Sequence, residues 1–135
     1  MTHLPDTSAL LAHYLAEPGG ERVQALFEND AVVAGASILS LYEFELRLHQ
    51  LGVDAANRTP ELNRYRALLS EVVDVDEAVR GEAIRLRTGA TAHVTAMDVL
   101  IAATASLKKA TLVHRDPHFA AIPSSLLTQE VLPAK

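Results

Sequence analysis

TAMDVLIAATASLKKATLVHRDPHF, residues 95–119, reads as a helix followed at once by a strand. The segment from Thr95 to Lys109 is apolar nearly all round, the pattern of a helix enclosed by the rest of its domain. ATLVH then carries the apolar and β-branched residues of a buried strand. That strand stops abruptly at Arg115, Asp116 and Pro117. Asp is a favoured helix N-cap and Pro suits the first helical position, so a new helical turn is expected there.

Working outward, the same alternation recurs. Upstream, EVVDV is strand-like and DEAVRGEAIRLR is helical. Earlier still, AVVAGAS reads as a buried strand and LSLYEFELRLHQLG as a helix. Thr59 and Pro60 in TPEL signal a helix start, with Thr59 as cap and Pro60 in the first turn. At the N-terminus THLP is a poor first strand, weakened by Pro5. Ser8 to Glu17 is helical up to the breaker PGG, and Val23, Leu26 and Phe27 give a second helix one apolar face. LTQEVLP supplies a short last strand. Alternating strands and helices over residues 1–135 predict a single α/β domain with a mainly parallel central sheet.

Composition narrows the function. The chain holds 17 acids against 12 bases, a net charge of −5, which argues against broad electrostatic coating of nucleic acid. Three Phe, three Tyr and no Trp are too few for a stacking platform to be the main device. With no cysteine, disulfides and thiolate metal sites are excluded. Hydrophobic residues reach 49%, which leaves room for an apolar surface kept for a partner or a second copy. No apolar run approaches a membrane span, and MTHLPDTSALL lacks a signal-peptide layout, so a cytoplasmic protein without membrane contact is expected.

In parallel α/β sheets, ligands gather beyond the carboxyl ends of the strands. Four acids fall at or near such junctions: Asp6 in LPDTS, Glu43 in SILSLYEFE, Asp98 in TAMDVLIAA and Asp116 in LVHRD. Each also has a structural explanation. SLYE from Ser40 and TAMD from Thr95 resemble capping boxes, while Asp6 and Asp116 suit ordinary N-caps. Together they are different. Like charges brought to one edge raise one another's pKa and call for a cation, and hard oxygen donors point to Mg2+ or Mn2+.

The ordered set DTSALL, SILSLYE, DVLIAATA and LVHRDPHF resembles the PIN-domain ribonucleases, and among them the VapC-type toxins of toxin–antitoxin pairs. The match runs from the N-terminus to about Ile122. The resemblance implies a three-layer α/β/α sandwich with acids binding Mg2+ or Mn2+ at one sheet edge. It implies endonucleolytic cleavage of RNA, inhibition by a cognate antitoxin, and a homodimer. By position Asp6, Glu43, Asp98 and Asp116 match the acidic quartet, and Ser8 the small polar residue supporting the first aspartate. Departures are His114, where the family often has Thr or Ser, His118, where a further Asp is frequent, and Pro5 before Asp6.

On this reading Asp6, Asp98 and Asp116 hold the metal, and Glu43 binds a second ion or orients the attacking water. Glu45 is the rival of Glu43, on another face of the same helix. Arg115 is a candidate contact for phosphate or an antitoxin carboxylate, or else a solvated flank of the site. His93, His114 and His118 are read as loop or surface residues before general bases. Lys108 and Lys109 suit a helix C-terminus, and Arg80, Arg85 and Arg87 a solvated helix face. Two other classes compete. An aspartyl phosphatase would need a second acid two residues after Asp6, where Ser8 stands. A catalytically inactive PIN-like interaction module would have no need for the four acids together.

Overall fold

The computed structural model describes all of residues 1–135. Its elements in chain order are β1 (His3–Pro5), α1 (Thr7–Tyr14), α2 (Gly20–Glu28), β2 (Gly35–Ser37), α3 (Ile38–Gln50) and α4 (Ala55–Leu68). There follow β3 (Glu71–Val73), α5 (Glu77–Gly89), α6 (Ala96–Leu107), β4 (Thr111–His114), a 3-10 turn (Pro117–Ala121) and β5 (Gln129–Val131). Every strand pair is parallel, as the alternation predicts. β1, β4 and β5 form one sheet and β2 with β3 another. A lone bridge from His3 to Ala34 joins the two, giving the spatial order β3-β2-β1-β4-β5.

Pro5 explains that weak seam. Asp6 donates its N–H to Val113 of β4 (3.0 Å), and His3 donates to Val33 on the opposite side (3.4 Å). The alternation of a strand therefore turns the nitrogen of residue 5 toward β2, where proline has no hydrogen to give. β1 is a central strand nonetheless, anchored from the β4 side.

The core fixes the three layers. Leu4 and Leu112, paired across β1 and β4, pack with Val79, Leu86, Ile101 and Phe119 against α5 and α6. Ala36 packs on the other face with Leu10, Phe44, Leu48 and Tyr65, and Val113 with Ala9 and Val23. Truncating a fully buried leucine such as Leu112 to alanine costs about 2–5 kcal/mol in sites of this kind. No helix is long and apolar enough to cross a membrane.

Three local expectations are corrected. α4 starts at Ala55 rather than at TPEL, because Asp54 accepts from both the backbone (3.0 Å) and the side chain (2.9 Å) of Asn57. Pro60 thus lies inside the helix rather than at its first position. α3 is capped by Ser37, whose hydroxyl accepts from the Leu39 N–H (3.1 Å), so Glu43 falls in the second turn. Ser40, the expected cap, is instead buried within α3 with no partner for its hydroxyl. The strand expected over AVVAGAS is confined to Gly35–Ser37.

Candidate active site

Parallel strands place the segments that follow them along one edge. Asp6 and Asp116 lie just beyond β1 and β4, and Glu43 lies in the second turn of α3 after β2. The strand-to-helix junction expected at Asp98 is corrected, since α6 follows α5 with no strand between them. Asp6 comes directly after β1 and caps α1, accepting from the Ala9 N–H (3.0 Å) and the Ser8 hydroxyl (2.6 Å) through Oδ1. Ser8 in turn accepts from the Arg115 N–H (2.9 Å), which ties the β1 end to the β4 end. Asp98 stands in the first turn of α6, where the Thr95 hydroxyl accepts from its N–H (3.2 Å). Asp116 lies two residues beyond β4 and caps the 3-10 turn through the His118 N–H (2.9 Å). Glu43 is reached by the Thr7 hydroxyl at 2.5 Å, from the residue next to Asp6.

The electrostatics tie three of these together. Asp6 is 4% exposed, and burial is the main reason its pKa is pushed up to about 7. The negative charges of Asp98 and Asp116 add to that rise, against the bonds from Ser8 and Ala9. Asp98 is raised as well, by burial first, with Asp116 adding to it and the Thr95 bond opposing it. So Asp6, Asp98 and Asp116 feel one another. They are within electrostatic reach but outside coordination distance: no three acidic or imidazole groups stand close enough to hold an ion as the side chains lie. Asp116 Oδ1 is engaged by His118 Nδ1 at 2.9 Å and Glu43 by Thr7, so binding a cation requires exchanging these bonds. In kind the donors fit a hard divalent cation, since all are carboxylate oxygens and their crowding is what a cation relieves.

The neighbouring residues divide clearly. Glu45 turns to Arg58 (3.2 Å), away from Thr7, whereas Glu43 turns toward the Asp6 side. Arg115 is neither solvated nor free. Its guanidinium pairs with Glu17 (2.7 Å) and donates to the Pro18 carbonyl (3.1 Å), a brace between β4 and the α1–α2 loop. Lys108 pairs with Glu71 (2.9 Å), while Arg80 and Arg85 pair with Glu77 and Glu82 on the exposed face of α5. His93 and His118 are exposed. His114 is not, being fully buried against Phe119 with burial lowering its pKa. The surface reading of His114 is therefore corrected. Its bond to Gln129 (2.7 Å) was not legible in sequence, because it depends on the register of β4 against β5.

The family model for the PIN domain matches residues 4–124. The chain belongs to the PIN domain family. Similar solved structures include VapBC2 from Rickettsia felis bound to a DNA fragment from its promoter, at TM-score 0.76 and 21% identity, covering 98% of this chain and 100% of that one. DNA-bound VapBC from Salmonella typhimurium matches at TM-score 0.75 and 17% identity, over 96% of this chain and 97% of the other. A member of the VapBC family of toxin-antitoxin systems from Mycobacterium tuberculosis, VapBC-5, matches at TM-score 0.62 and 23% identity, over 96% of each chain. No curated protein sequence matches this chain. At these identities the likeness is one of fold, and it extends over nearly the whole PIN domain.

Proposed function

We propose that this PIN-domain protein is a Mg2+- or Mn2+-dependent endoribonuclease, the toxin of a toxin–antitoxin pair. The observation that carries the reading is the mutual crowding of Asp6, Asp98 and Asp116 at one sheet edge, with two of the three carboxyls held above their ordinary range. Asp6 and Asp116 also cap helical segments, but capping does not require like charges to be brought near one another, whereas a divalent cation would turn the same proximity into binding. Asp6, Asp98 and Asp116 would hold the ion. Such an ion lowers the pKa of its bound water and neutralises charge growing on a phosphate oxygen. Ser8 keeps Oδ1 of Asp6 oriented, and Glu43, which accepts from the Thr7 hydroxyl, would bind a second ion or orient the attacking water.

The partners follow from the same reading. The similar VapBC structures support a cognate antitoxin. Tyr42 and Leu46 on α3 and Ile84 on α5 are exposed apolar side chains available to an antitoxin or to a second copy in a homodimer. The net charge of −5 means that RNA would be engaged at the metal-binding edge rather than by a broad basic surface, and cytoplasmic action belongs to the same proposal. The test is cleavage of total RNA by antitoxin-free protein with Mn2+, with Mg2+ and with EDTA, alongside Asp98→Ala prepared identically. Cleavage that needs the metal and vanishes in the variant is expected. Folded protein that binds neither metal nor RNA would replace this reading with an interaction module.

A further inference from the structure

Among the groups near the acids, one half-buried polar side chain has a settled direction of hydrogen bonding. Gln129 donates from Nε2 to the carbonyls of Phe119 (3.0 Å) and Ile122 (3.2 Å). Both of its amide hydrogens are thereby used, and its Oε1 faces His114 Nε2 at 2.7 Å as an acceptor. The reversed amide would set its oxygen against two carbonyl oxygens. His114 Nε2 therefore carries the hydrogen, and the neutral ring leaves a lone pair on Nδ1. That lone pair accepts the Asp116 N–H at 3.1 Å. The ring is 1% exposed and lies against Phe119 with centroids 4.6 Å apart, so it has little room to turn.

We infer that His114, held by Gln129, is a positioning residue for Asp116: its Nδ1 fixes the Asp116 amide, and with it the direction in which that carboxylate leaves the chain. The inference rests on the reading of Asp116 as a cation ligand. Every link is polar and directional, from the Asp116 N–H through the ring and Gln129 to the carbonyls that close the 3-10 turn. The acidic edge is thus tied to β5, an element that supplies no acid to it. Ligand-orienting groups of this kind alter metal affinity when removed.

The test is calorimetric titration of Mn2+ into the wild type, His114→Leu, His114→Asn, Asp116→Ala and the double variant His114→Leu/Asp116→Ala. Leucine has no acceptor, and loss of Mn2+ affinity of about tenfold is expected. Asparagine places its side-chain oxygen near the position of Nδ1 and restores most of that loss. In the Asp116→Ala background, His114→Leu has no additional effect. An equal further loss in the double variant, or asparagine binding no better than leucine, overturns the inference. Asp116→Ala weakening Mn2+ binding while His114→Leu does not overturns the positioning role alone. No Mn2+ binding by the wild type, or binding indifferent to Asp116→Ala, removes the ligand reading and this inference with it. Should the leucine variant fail to fold, long-range 1H–15N correlation of wild-type protein decides the matter. The Nε2–H tautomer with a bare Nδ1 is expected, and an Nδ1–H tautomer overturns the inference.

Discussion

Two groups of carboxylates in this chain are treated in opposite ways. Glu17 lies between Lys135 (2.8 Å) and Arg115 (2.7 Å), and hydrogen bonds from Lys135 first and Arg115 second hold it below the usual carboxylate range. Glu130 takes a two-pronged bond from Arg22 (2.8 and 2.9 Å) and is lowered by it in the same way. Asp6 and Asp98 have no cationic partner and are raised, chiefly by burial. The acids that join elements together are neutralised within the chain. Asp6, after β1, and Asp98, in the first turn of α6, have no such neutralising partner, and on the proposed function a divalent cation would supply it.

Substitution can break that contrast. The largest effect is expected at the sheet edge: Asp98→Asn should reduce RNA cleavage by at least about a hundredfold, the scale on which loss of a group stabilising developing charge is felt. The melting temperature should not fall, because Thr95 caps α6 through a backbone N–H that asparagine keeps and the variant carries no half-buried charge at this position. Full activity in this variant would take Asp98 out of the chemistry.

The next effect is one of pH. In metal-free protein Asp6 has a folded pKa of about 7 against an ordinary 3.8, so the folded state holds a proton that the unfolded chain releases. Its contribution is therefore full below about pH 4 and is lost as pH rises toward 7. Denaturant titrations in EDTA should show stability falling across that window. Asp6→Asn, which keeps an acceptor for Ser8 and Ala9, should remove the larger part of the fall, leaving the share of Asp98, and gain roughly 2–4 kcal/mol at pH 8.

Glu17→Gln should act in the opposite sense, costing about 1–2 kcal/mol near neutral pH by leaving the half-buried Arg115 uncompensated. Because Glu17 is lowered, its contribution is present above the ordinary carboxylate pKa and fades as pH falls through its lowered value. A variant as stable as the wild type at pH 7 would remove the brace from the account. Smallest of all is Arg80→Ala, which breaks an exposed pair with Glu77 on α5 and should leave the melting temperature unchanged within error.

The sequence revealed the fold where a single pattern was uncontested. The all-round apolar run of α6 and the β-branched run of β4 could hardly be anything else, and the acids just after β1 and β4 were visible as positions before their surroundings were known. Reading failed where two local signals competed. Pro60 looked like a first helical residue, but Asp54 and Asn57, six and three residues earlier, form the stronger start. Ser40 looked like a cap when Ser37 was the cap. What could not be read at all depends on residues far apart in the chain: Arg115 with Glu17, and His114 with Gln129. Those pairings arise only once β4 lies between β1 and β5.

The measurement that goes to the centre of this contrast is the melting temperature of wild type and Asp6→Asn at pH 8, each in EDTA and in Mn2+. In EDTA the variant should melt higher, since it no longer buries a charge without a partner. Mn2+ should raise the wild type and leave the variant where it was. If Asp6→Asn melts lower than the wild type in EDTA, or gains as much from Mn2+, then the acids at this edge are not a cation site in waiting.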